Sequence, residues 1–542
     1  MEEKADESKQ KGEDSRWLAR VTHRLSSFPH FGIVLIAGAF LLVNALYWFS
    51  VADSYWSLIF SLTTIVLFLL AYFLYARNSN EEPNVGRWYL MVLCCSGLVY
   101  CMVFTPMTVP DERYHFQASY ELSNALMGSG YPSSITDVSM RKCDAEFTDD
   151  CAWTVQRSDY EVIAAEMGTF FCDSEAMVSR PVDTGKIQAS QNPIQLKLPS
   201  ALGITLARLL HLGPCYLFYL GRLFNFSLFA VLVYLAWRVS PIGKNVIVAT
   251  SLLPMTLHLA ASYSYDAGTI GLAILLTSLC LRAIFRTNRL SAREAAEIII
   301  TAALLAPCKL IYTPIVCLVF FIPARRFSSK RNEIVYKFGS IALVFASLVV
   351  IRLPDLLNIA QAGAASNTLD VRGSATGHFY TVSQVLDEPI RFIIMLVRTL
   401  DQYGAFYLEG IVGGSLGWFQ SEIALPGYWV LLLYALLGYA LLASDEDSWQ
   451  PPLSVRVVGL LLCTVAVLGV FLSMLVGHTF DTEQIIMGVQ GRYALPILPL
   501  LLICIRPLRI RVEGKSLGVV VLSSVFINAA ILTRIFSIAL TL

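Results

Sequence analysis

Two adjacent carboxylates, Asp111 and Glu112, follow the third long apolar run of the sequence. Pro106 and Pro110 precede them, and because proline fixes the backbone φ angle, the chain leaves this run with little freedom. The pair is expected at a fixed height at the membrane surface, where it can act as a general base, as a ligand of Mg²⁺ or Mn²⁺, or as both. No cofactor is certain from the sequence alone. The alternative is that the two acidic residues are simply solvated or that they cap the next helix.

Two cations, Arg492 and Lys309, lie in short loops on the side of the membrane that otherwise carries little positive charge. A lone cation at the boundary of a helical bundle needs an anionic partner, and a lipid phosphate supplies one. The alternative for each is a side chain that snorkels to the lipid headgroups. Tyr493, which follows the arginine directly, is a further candidate for the same cavity.

Five other side chains have types and positions that suit a polar cavity. Asp266 begins an apolar helix, where it either caps that helix or joins the acidic pair across a cavity. His115 lies one helical turn after the acidic pair and is a candidate ligand of a substrate phosphate. Arg222 stands inside an apolar run, where an arginine is costly in lipid, so it is expected to face the bundle interior. Arg398 and His478 are additional candidates on the same side.

The composition indicates that most of the surface meets lipid. Hydrophobic residues make up 56% of the 542 residues and charged residues only 15%, whereas a soluble domain carries about a quarter charged residues. The charged residues cluster between apolar runs, as in a multi-pass membrane protein. Nothing in the sequence indicates a nucleic-acid partner. Residues 1–28 are interpreted as a disordered cytoplasmic tail, because their first part is almost entirely polar.

The apolar runs predict an all-α membrane protein, a polytopic bundle of about 13 transmembrane helices, because about 20 apolar residues cross a bilayer. Two shorter runs between Ala292 and Pro323, split by Pro307-Cys308-Lys309, predict a tight hairpin. The other predicted crossings are Phe31–Phe49, Trp56–Tyr75, Trp88–Pro106, Tyr216–Arg238, Val246–Ser262, Asp266–Phe285, Phe338–Leu353, Tyr428–Leu442, Val455–Val476, Tyr493–Ile505 and Leu517–Ile535.

Lys and Arg in the short loops indicate the cytoplasmic side, and they place the N-terminus inside. Two large segments, 108–214 and 354–427, then face outward and are expected to carry short amphipathic helices. The remaining ranges hold helices 1–3 (29–107), helices 4–9 (215–353) and helices 10–13 (428–542). Pro389–Leu408 is apolar enough for a helix, but a crossing there would reverse every later loop. Pro389–Leu425 is therefore interpreted as re-entrant or as lying at the outer interface.

The first outward segment contains three cysteines, Cys143, Cys151 and Cys172. In an oxidising compartment, a disulfide between Cys143 and Cys151 would stabilise a loop that has little core of its own. The alternative is that all three are free thiols. The other nine cysteines lie in or beside apolar runs, where they are interpreted as small core residues.

Several short motifs occur in a fixed order along the chain. They are Pro110-Asp111-Glu112-Arg113-Tyr114-His115-Phe116, Tyr120-Glu121-Leu122, Ser264-Tyr265-Asp266-Ala267, Lys309-Leu310-Ile311-Tyr312-Thr313-Pro314, Gly414-Ser415-Leu416-Gly417-Trp418 and Gln490-Gly491-Arg492-Tyr493-Ala494-Leu495-Pro496. In that order they resemble the bacterial membrane proteins grouped as domain-of-unknown-function family 2142, over roughly residues 90–510.

That family is similar in layout to the GT-C glycosyltransferases, which take a sugar from a polyprenyl-phosphate donor at the outer membrane face. The resemblance implies a GT-C-like fold, with Asp111 as catalytic base or metal ligand and Glu112 beside it. It also implies that Arg492, with Lys309, holds the donor phosphate. This chain departs from the family pattern in having Arg113 after the acidic pair. That cation would either pair with Asp111 and lower its pKa or contact the phosphate.

The resulting hypothesis is a glycosyltransferase of a bacterial inner membrane, which moves a sugar from a polyprenyl phosphate to a cell-envelope glycan or a lipid-linked acceptor. A transporter or flippase of lipid-linked glycans is one alternative, and it would carry ionisable residues deep in its helices and two related halves. A polymerase or ligase of such glycans is the other, and it would need a basic outer loop. Residues 108–214 hold 14 acidic and 8 basic residues, which favours the transferase.

Overall fold

The computed structural model describes residues 31–78, 82–130, 134–172, 176–183, 187–188, 193–365, 379–444, 451–507, 512–513 and 516–542. The predicted disordered tail, residues 1–28, lies outside these ranges, and so do residues 366–378 of the 354–427 segment. Within them the chain is α-helical apart from three two-stranded sheets. The predicted all-α class is therefore confirmed.

Three long helices open the described chain: α1 (Phe31–Ala52), α2 (Tyr55–Asn78) and α3 (Glu82–Val103). A connecting segment, residues 104–213, then leads to the next long helix. It contains α4 (Glu112–Asn124), β1 (Ser134–Ile135), β2 (Asp137–Arg141), α5 (Lys142–Asp150), α6 (Arg157–Glu166), β3 (Met177–Pro181), β4 (Ile187–Gln188) and α7 (Ile194–Leu209).

The connecting segment has a small core of its own. Strand β1 pairs with β4 and β2 pairs with β3, both antiparallel. A buried ion pair at 2.7 Å joins Arg141 at the end of β2 to Asp144 in α5, and the Tyr120 hydroxyl donates to the same carboxylate. These contacts satisfy a charge that would otherwise be costly to bury. They fix α4 against the sheet and so hold the acidic pair at its first turn.

The middle of the chain is built from helices of very different length, linked between α12 and α14 by 3₁₀ turns. They are α8 (Pro214–Val239), α9 (Lys244–Ser251), α10 (Pro254–Ala260), α11 (Asp266–Phe285), α12 (Ala292–Leu305), α13 (Thr313–Val316) and α14 (Lys330–Ala365).

The last third contains helices and one short sheet, in which β5 pairs with β6 in parallel. Its elements are α15 (Val382–Asp387), α16 (Pro389–Val412), α17 (Gly427–Leu442), β5 (Ala443–Ser444), α18 (Leu453–His478), α19 (Leu498–Ile505), β6 (Val512–Glu513) and α20 (Ser516–Ala539).

Eight helices in the described part of the chain are long and apolar enough to cross a membrane, namely α1, α2, α3, α8, α11, α14, α18 and α20. The chain is thus a multi-pass membrane protein. Five of the thirteen predicted crossings fall on shorter elements and stay predictions. The run Val246–Ser262, for example, is divided into α9 and α10 at Pro254, because proline cannot donate the backbone hydrogen bond that a continuous helix needs.

The predicted disulfide between Cys143 and Cys151 is wrong. The structure pairs Cys143 with Cys172 and leaves Cys151 as a buried free thiol. Helix α5 explains the difference, because it occupies residues 142–150 and so separates Cys143 from Cys151. Eight residues of helix rise about 12 Å, whereas the Cα atoms of a disulfide lie within about 7 Å.

Candidate functional site

The two adjacent carboxylates point in different directions from the start of α4. Asp111 precedes the helix in the left-handed conformation, with φ of 61° and ψ of 15°, which aspartate adopts more readily than most residues. Its side chain is 43% exposed, and its Oδ2 lies 3.3 Å from Nη2 of Arg492. The side chain of Glu112 is fully buried on the other side of the turn. The backbone at Asp111 therefore separates the pair into one accessible and one inaccessible carboxylate.

Glu112 forms a two-point ion pair with Arg222 of α8. Nε of the arginine donates to Oε1 at 2.8 Å and Nη2 donates to Oε2 at 2.6 Å, and both side chains are inaccessible. The backbone N–H of Tyr263 also donates to Oε1. The guanidinium satisfies its remaining donors on the carbonyl oxygens of Cys101, Phe104 and Thr105 at the end of α3. This pair joins α3, α4 and α8.

The predicted catalytic and metal-binding roles of Glu112 do not fit this geometry. Both of its oxygens already accept hydrogen bonds from a buried cation, and an inaccessible carboxylate cannot share a metal with the exposed Asp111. In the described ranges, no group of three or more metal-binding side chains comes together. We therefore assign Glu112 a structural role and derive no catalytic step through a metal at the pair.

Asp266 is the anionic centre of a second group of charges. Nζ of Lys309 lies 2.7 Å from its Oδ1, and Nε of Arg492 lies 3.9 Å from its Oδ2. The carboxylate stands in the first turn of α11, where the positive end of the helix dipole favours it. The structure shows no side-chain cap at Asp266. Asp266 instead contacts Arg492, which also contacts Asp111. Three predicted residues from distant parts of the chain thus meet at one point.

Aromatic rings enclose this group. The ammonium of Lys309 lies 4.8 Å from the ring centres of both Tyr265 and Tyr493. The guanidinium of Arg492 is 5.7 Å from the Tyr493 ring, and the His115 ring meets Tyr265 edge-on at 4.8 Å. Such faces attract cations and exclude water, which strengthens the charge interactions between them. We call Asp111, Asp266, Lys309 and Arg492, with these rings, the anion site.

Lys197 of α7 also borders this group, although the sequence did not single it out. Its side chain is 1% exposed. Its Nζ donates to the carbonyl oxygens of Tyr263 at 3.1 Å and His115 at 3.4 Å, and it lies 5.5 Å from the Tyr265 ring. No carboxylate in the described ranges lies within ion-pair distance of it. Burial lowers the pKa of Lys197 well below its usual value.

Two nitrogen atoms in the anion site lack a hydrogen-bond partner among the described residues. They are Nδ1 of His115 and Nε of Arg492, both on buried side chains. Burial, followed by the charges of Lys197, Arg492 and Lys309, lowers the pKa of His115 well below its usual value. The imidazole is therefore neutral at pH 7. An unsatisfied buried nitrogen costs about 1–3 kcal/mol, so both atoms are available to a polar group that enters the site.

Three other predicted residues have contacts elsewhere. Arg113 donates to the Thr148 carbonyl at 2.8 Å and to Asp149 at 3.4 Å, so it pairs with α5 rather than with Asp111. This corrects the alternative in which it pairs with Asp111, whereas its predicted contact with the donor phosphate stays a prediction. Arg398 is exposed on α16 and donates to the side chain of Gln484. The structure places His478 at the end of α18, against Gly488.

A glycine determines how closely Arg492 approaches the rest of the chain. The 3₁₀ turn Gly491–Ala494 packs on α16, and a Cβ atom on Gly491 would lie only 2.0 Å from the carbonyl oxygen of Tyr407. Only glycine permits this contact. The helix therefore supports the turn from behind and presents the arginine to Asp111 and Asp266.

The glycine-rich stretch after α16 connects to the segment that carries Asp111. The Trp418 ring lies 4.7 Å from the Trp153 ring, and the Gln420 side chain both accepts from and donates to the Val155 backbone. Gly413, at φ of 106°, ends α16 against Pro254 at the break between α9 and α10. The predicted re-entrant path of this stretch stays a prediction, but its contacts show that it positions the connecting segment.

Comparison with known proteins gives one match. The model of a family described as "Predicted membrane protein (DUF2142)" matches residues 94–501, which is 408 of the 542 residues. No curated protein and no solved structure matches the chain. The matched range includes every residue of the anion site, together with Glu112, Lys197 and Arg222.

Proposed function

We propose that this chain, which belongs to the DUF2142 family of predicted membrane proteins, is an integral-membrane glycosyltransferase of the GT-C type. It would move a sugar from a polyprenyl-phosphate donor to a cell-envelope glycan or a lipid-linked acceptor. The reaction would take place at the outer face of a bacterial inner membrane, with the N-terminus in the cytoplasm. Sequence resemblance suggests the reaction type, and the geometry of the anion site supports it.

The observation that carries the proposal is the arrangement of one accessible carboxylate beside two largely enclosed cations. The side chain of Asp111 is 43% exposed and touches Arg492, whereas the side chains of Arg492 and Lys309 are only 6% and 17% exposed and share Asp266. A lipid phosphate that entered here would offer oxygen acceptors to both cations. One of the donors would be Nε of the arginine, which has no hydrogen-bond partner among the described residues. It would compete with Asp111 for the guanidinium. Phosphate binding would thus release Asp111 to meet an acceptor hydroxyl.

The chemistry follows from these positions. Asp111 takes the proton of the acceptor hydroxyl as the oxygen attacks the anomeric carbon of the donor sugar. The bond between that carbon and the phosphate oxygen breaks, and its electron pair leaves with the lipid phosphate. Arg492 and Lys309 stabilise the additional negative charge of this leaving group in a water-poor surrounding, where fixed charges are most effective. Positioning and charge stabilisation supply most of the rate enhancement.

The buried residues around the anion site hold it rigid. The ion pair between Glu112 and Arg222 fixes the first turn of α4 against α3 and α8. Gly491 lets α16 support the turn that presents Arg492. Held in this way, the base and the phosphate-binding groups keep their mutual distance during the reaction, which catalysis by positioning requires.

The test compares envelope glycans from wild-type cells, a deletion strain, and deletion strains that express variants at equal levels. Asp111→Asn removes the base but keeps the shape of the side chain. Asp149→Asn is the matched control, because Asp149 is 44% exposed in the same connecting segment and pairs with Arg113 and Arg180. We expect deletion to remove one sugar linkage, Asp149→Asn to restore it, and Asp111→Asn to fail.

Full restoration by Asp111→Asn would show that this carboxylate is not the base. An accumulation of the lipid-linked glycan at the inner leaflet in the deletion strain would favour a transporter or flippase instead. Loss of long polymers with unchanged sugar linkages would favour a polymerase or ligase. Each result separates the proposed transferase from one alternative.

A further inference from the structure

Lys197 differs from the other cations of the site in having carbonyl oxygens as its only hydrogen-bond acceptors among the described residues. Its ammonium group meets the carbonyls of His115 and Tyr263, and Tyr265 lies between it and Lys309 in the contact network. Burying a lysine with neutral acceptors is costly unless a negative charge lies close by. The side chain is nevertheless 1% exposed, so the fold retains a lysine where an apolar residue would be cheaper.

The balance of charges suggests what this lysine requires. Three cations surround the site, Arg492, Lys309 and Lys197, against two carboxylates, Asp111 and Asp266. Glu112 and Arg222 cancel each other as a closed pair and add nothing to this sum. With Lys197 protonated, the empty site therefore carries one uncompensated positive charge. With Lys197 neutral, the empty site is balanced.

We propose that Lys197 takes up a proton when a phosphodiester anion binds between Arg492 and Lys309. The inference rests on the proposed function, since it takes the donor phosphate as the ligand. An incoming phosphodiester brings one negative charge, and protonation of Lys197 then returns the site to neutrality. The lysine does not touch the phosphate; it acts as a positioning residue through the electric field, across Tyr265.

The groups that face Lys197 come from every element around it. On α4 the imidazole of His115 is neutral, because burial and the surrounding cations lower its pKa. The negative charge of Asp266 on α11 partly offsets the effect of burial on the pKa of Lys197. Glu112, which is paired with Arg222, acts in the same direction. No further carboxylate in the described ranges is available to hold the proton on Lys197. The other titratable side chains that border Lys197 are Tyr263 and Tyr265, which precede α11. Lys309 and Arg492 act together with Lys197 on His115.

Neutrality would then be preserved through the whole reaction. The bound donor contributes one negative charge, which with Asp111 and Asp266 balances the three cations. As Asp111 takes the acceptor proton it loses its charge, while the departing lipid phosphate gains one. The sum does not change, so no isolated charge is created in a buried site. A diphosphate-linked donor would bring an additional negative charge, so the site is suited to a monophosphate diester.

The experiment measures proton uptake on binding. Purified protein in detergent is titrated calorimetrically with a short prenyl methyl phosphodiester, a probe that keeps one negative charge and does not itself titrate near neutral pH. Repeating the titration in buffers of different ionisation enthalpy gives the number of protons taken up, from about pH 6 to about pH 9, where buried lysines can titrate. Lys197→Met is the test variant. Lys244→Met is the control, because Lys244 packs on Trp237 away from the site.

We expect the wild type and Lys244→Met to take up close to one proton per bound probe at the upper end of this range. We expect Lys197→Met to take up none and to bind at least about tenfold more weakly at the lower end, a change that corresponds to about 1.4 kcal/mol. Binding of the wild type without proton uptake would overturn the inference and leave the proposed transferase intact. The same uptake in Lys197→Met would also overturn it.

Two further outcomes separate the inference from the proposed function. If the wild type, Lys244→Met and Lys197→Met all fail to bind the probe, the anion site is not a phosphate site. The inference about Lys197 and the proposed function then fail together. If a short-chain phosphatidylglycerol binds as tightly as the prenyl probe and with the same proton uptake, the role of Lys197 is supported. The ligand would then be a membrane phospholipid rather than a sugar donor, and the proposed function would lose its support.

Discussion

Arg492 and Asp111 are 381 positions apart in the sequence, yet Nη2 of the arginine lies 3.3 Å from Oδ2 of the aspartate. The arginine is 6% exposed in its side chain and the aspartate 43%. The contact therefore places a fixed cation directly beside the accessible base. In the proposed reaction Asp111 takes the proton of the attacking hydroxyl, and Arg492 binds the leaving phosphate. The distance between these two residues therefore determines how close the acceptor oxygen and the phosphate come.

The first prediction concerns the fork-shaped side chain of Arg492. Lysine keeps the charge but supplies a single compact ammonium, which cannot contact Asp111, Asp266 and a phosphate together. We expect Arg492→Lys to lower the initial rate at which the sugar linkage reappears after induction by about 10²-fold or more, and Arg492→Gln to lower it further. Arg157→Gln is the control, since Arg157 is largely exposed and pairs within α6. A rate for Arg492→Lys equal to that of the control would contradict the assignment.

The second prediction distinguishes Glu112 from its neighbour. Removing one partner of a buried ion pair costs about 3–5 kcal/mol, because it leaves an uncompensated charge. We expect Glu112→Gln and Arg222→Met each to lower the midpoint of thermal unfolding in detergent, and the double variant to recover part of the loss. Asp111→Asn, at the exposed neighbour, should leave the midpoint unchanged. If Glu112→Gln unfolds like the wild type yet abolishes transfer, the glutamate has a catalytic role after all.

The third prediction concerns the disulfide of the connecting segment. Peptide mapping without reduction should recover Cys143 linked to Cys172, with Cys151 modified by alkylating reagents only after unfolding. The bond closes a loop of 29 residues, for which chain entropy predicts a stabilisation of about 3.6 kcal/mol. Cys143→Ser and Cys172→Ser should therefore lower stability equally, and the double variant no further. Recovery of a peptide that links Cys143 to Cys151 would refute the pairing.

The charged members of the anion site could be identified from the sequence because ionisable residues at the ends of apolar runs are rare and costly. Asp111, Asp266, Lys309 and Arg492 all stand at such ends. Their contacts could not be predicted, since they depend on how distant helices pack. Lys197 was missed because, in Leu196-Lys197-Leu198, it resembles an interfacial lysine that reaches the headgroups.

The separation of the acidic pair and the broken helices show where sequence reasoning ends. A positive φ at Asp111 sends two adjacent carboxylates to different surroundings, and no pattern of residue types encodes that angle. The apolar run from Val246 to Ser262 is long enough to cross a membrane, yet its proline divides it into α9 and α10. Asn528 donates to the Leu252 carbonyl at this break, and that partner lies 276 residues away.

The fourth prediction uses the pKa of His115. Burial and the nearby cations lower this pKa in the folded protein, so the unfolded state binds a proton first as the pH falls. Stability from this residue is therefore present above its unfolded pKa of about 6.5 and is lost progressively below it. Thermal unfolding between about pH 5 and about pH 8 should show this loss in the wild type and a smaller loss in His115→Gln. Identical pH profiles would mean that folding does not lower the pKa of His115.

The fifth prediction concerns the approach of α16 to the turn that carries Arg492. An alanine at Gly491 would place its Cβ 2.0 Å from the Tyr407 carbonyl oxygen, so the turn must move and take the arginine with it. A displacement of about 1 Å can cost about 10²-fold in rate, and we expect Gly491→Ala to lose transfer by that factor. Gly404→Ala is the matched control, because Gly404 lies on α16 but faces open space.

The informative measurement compares the rate of transfer with the affinity for the phosphodiester probe. Because Arg492 both holds the phosphate and lies beside Asp111, a displaced turn should lower the rate and the affinity together. A Gly491→Ala protein that binds the phosphodiester normally and transfers at the wild-type rate would show that this close approach does not position the site.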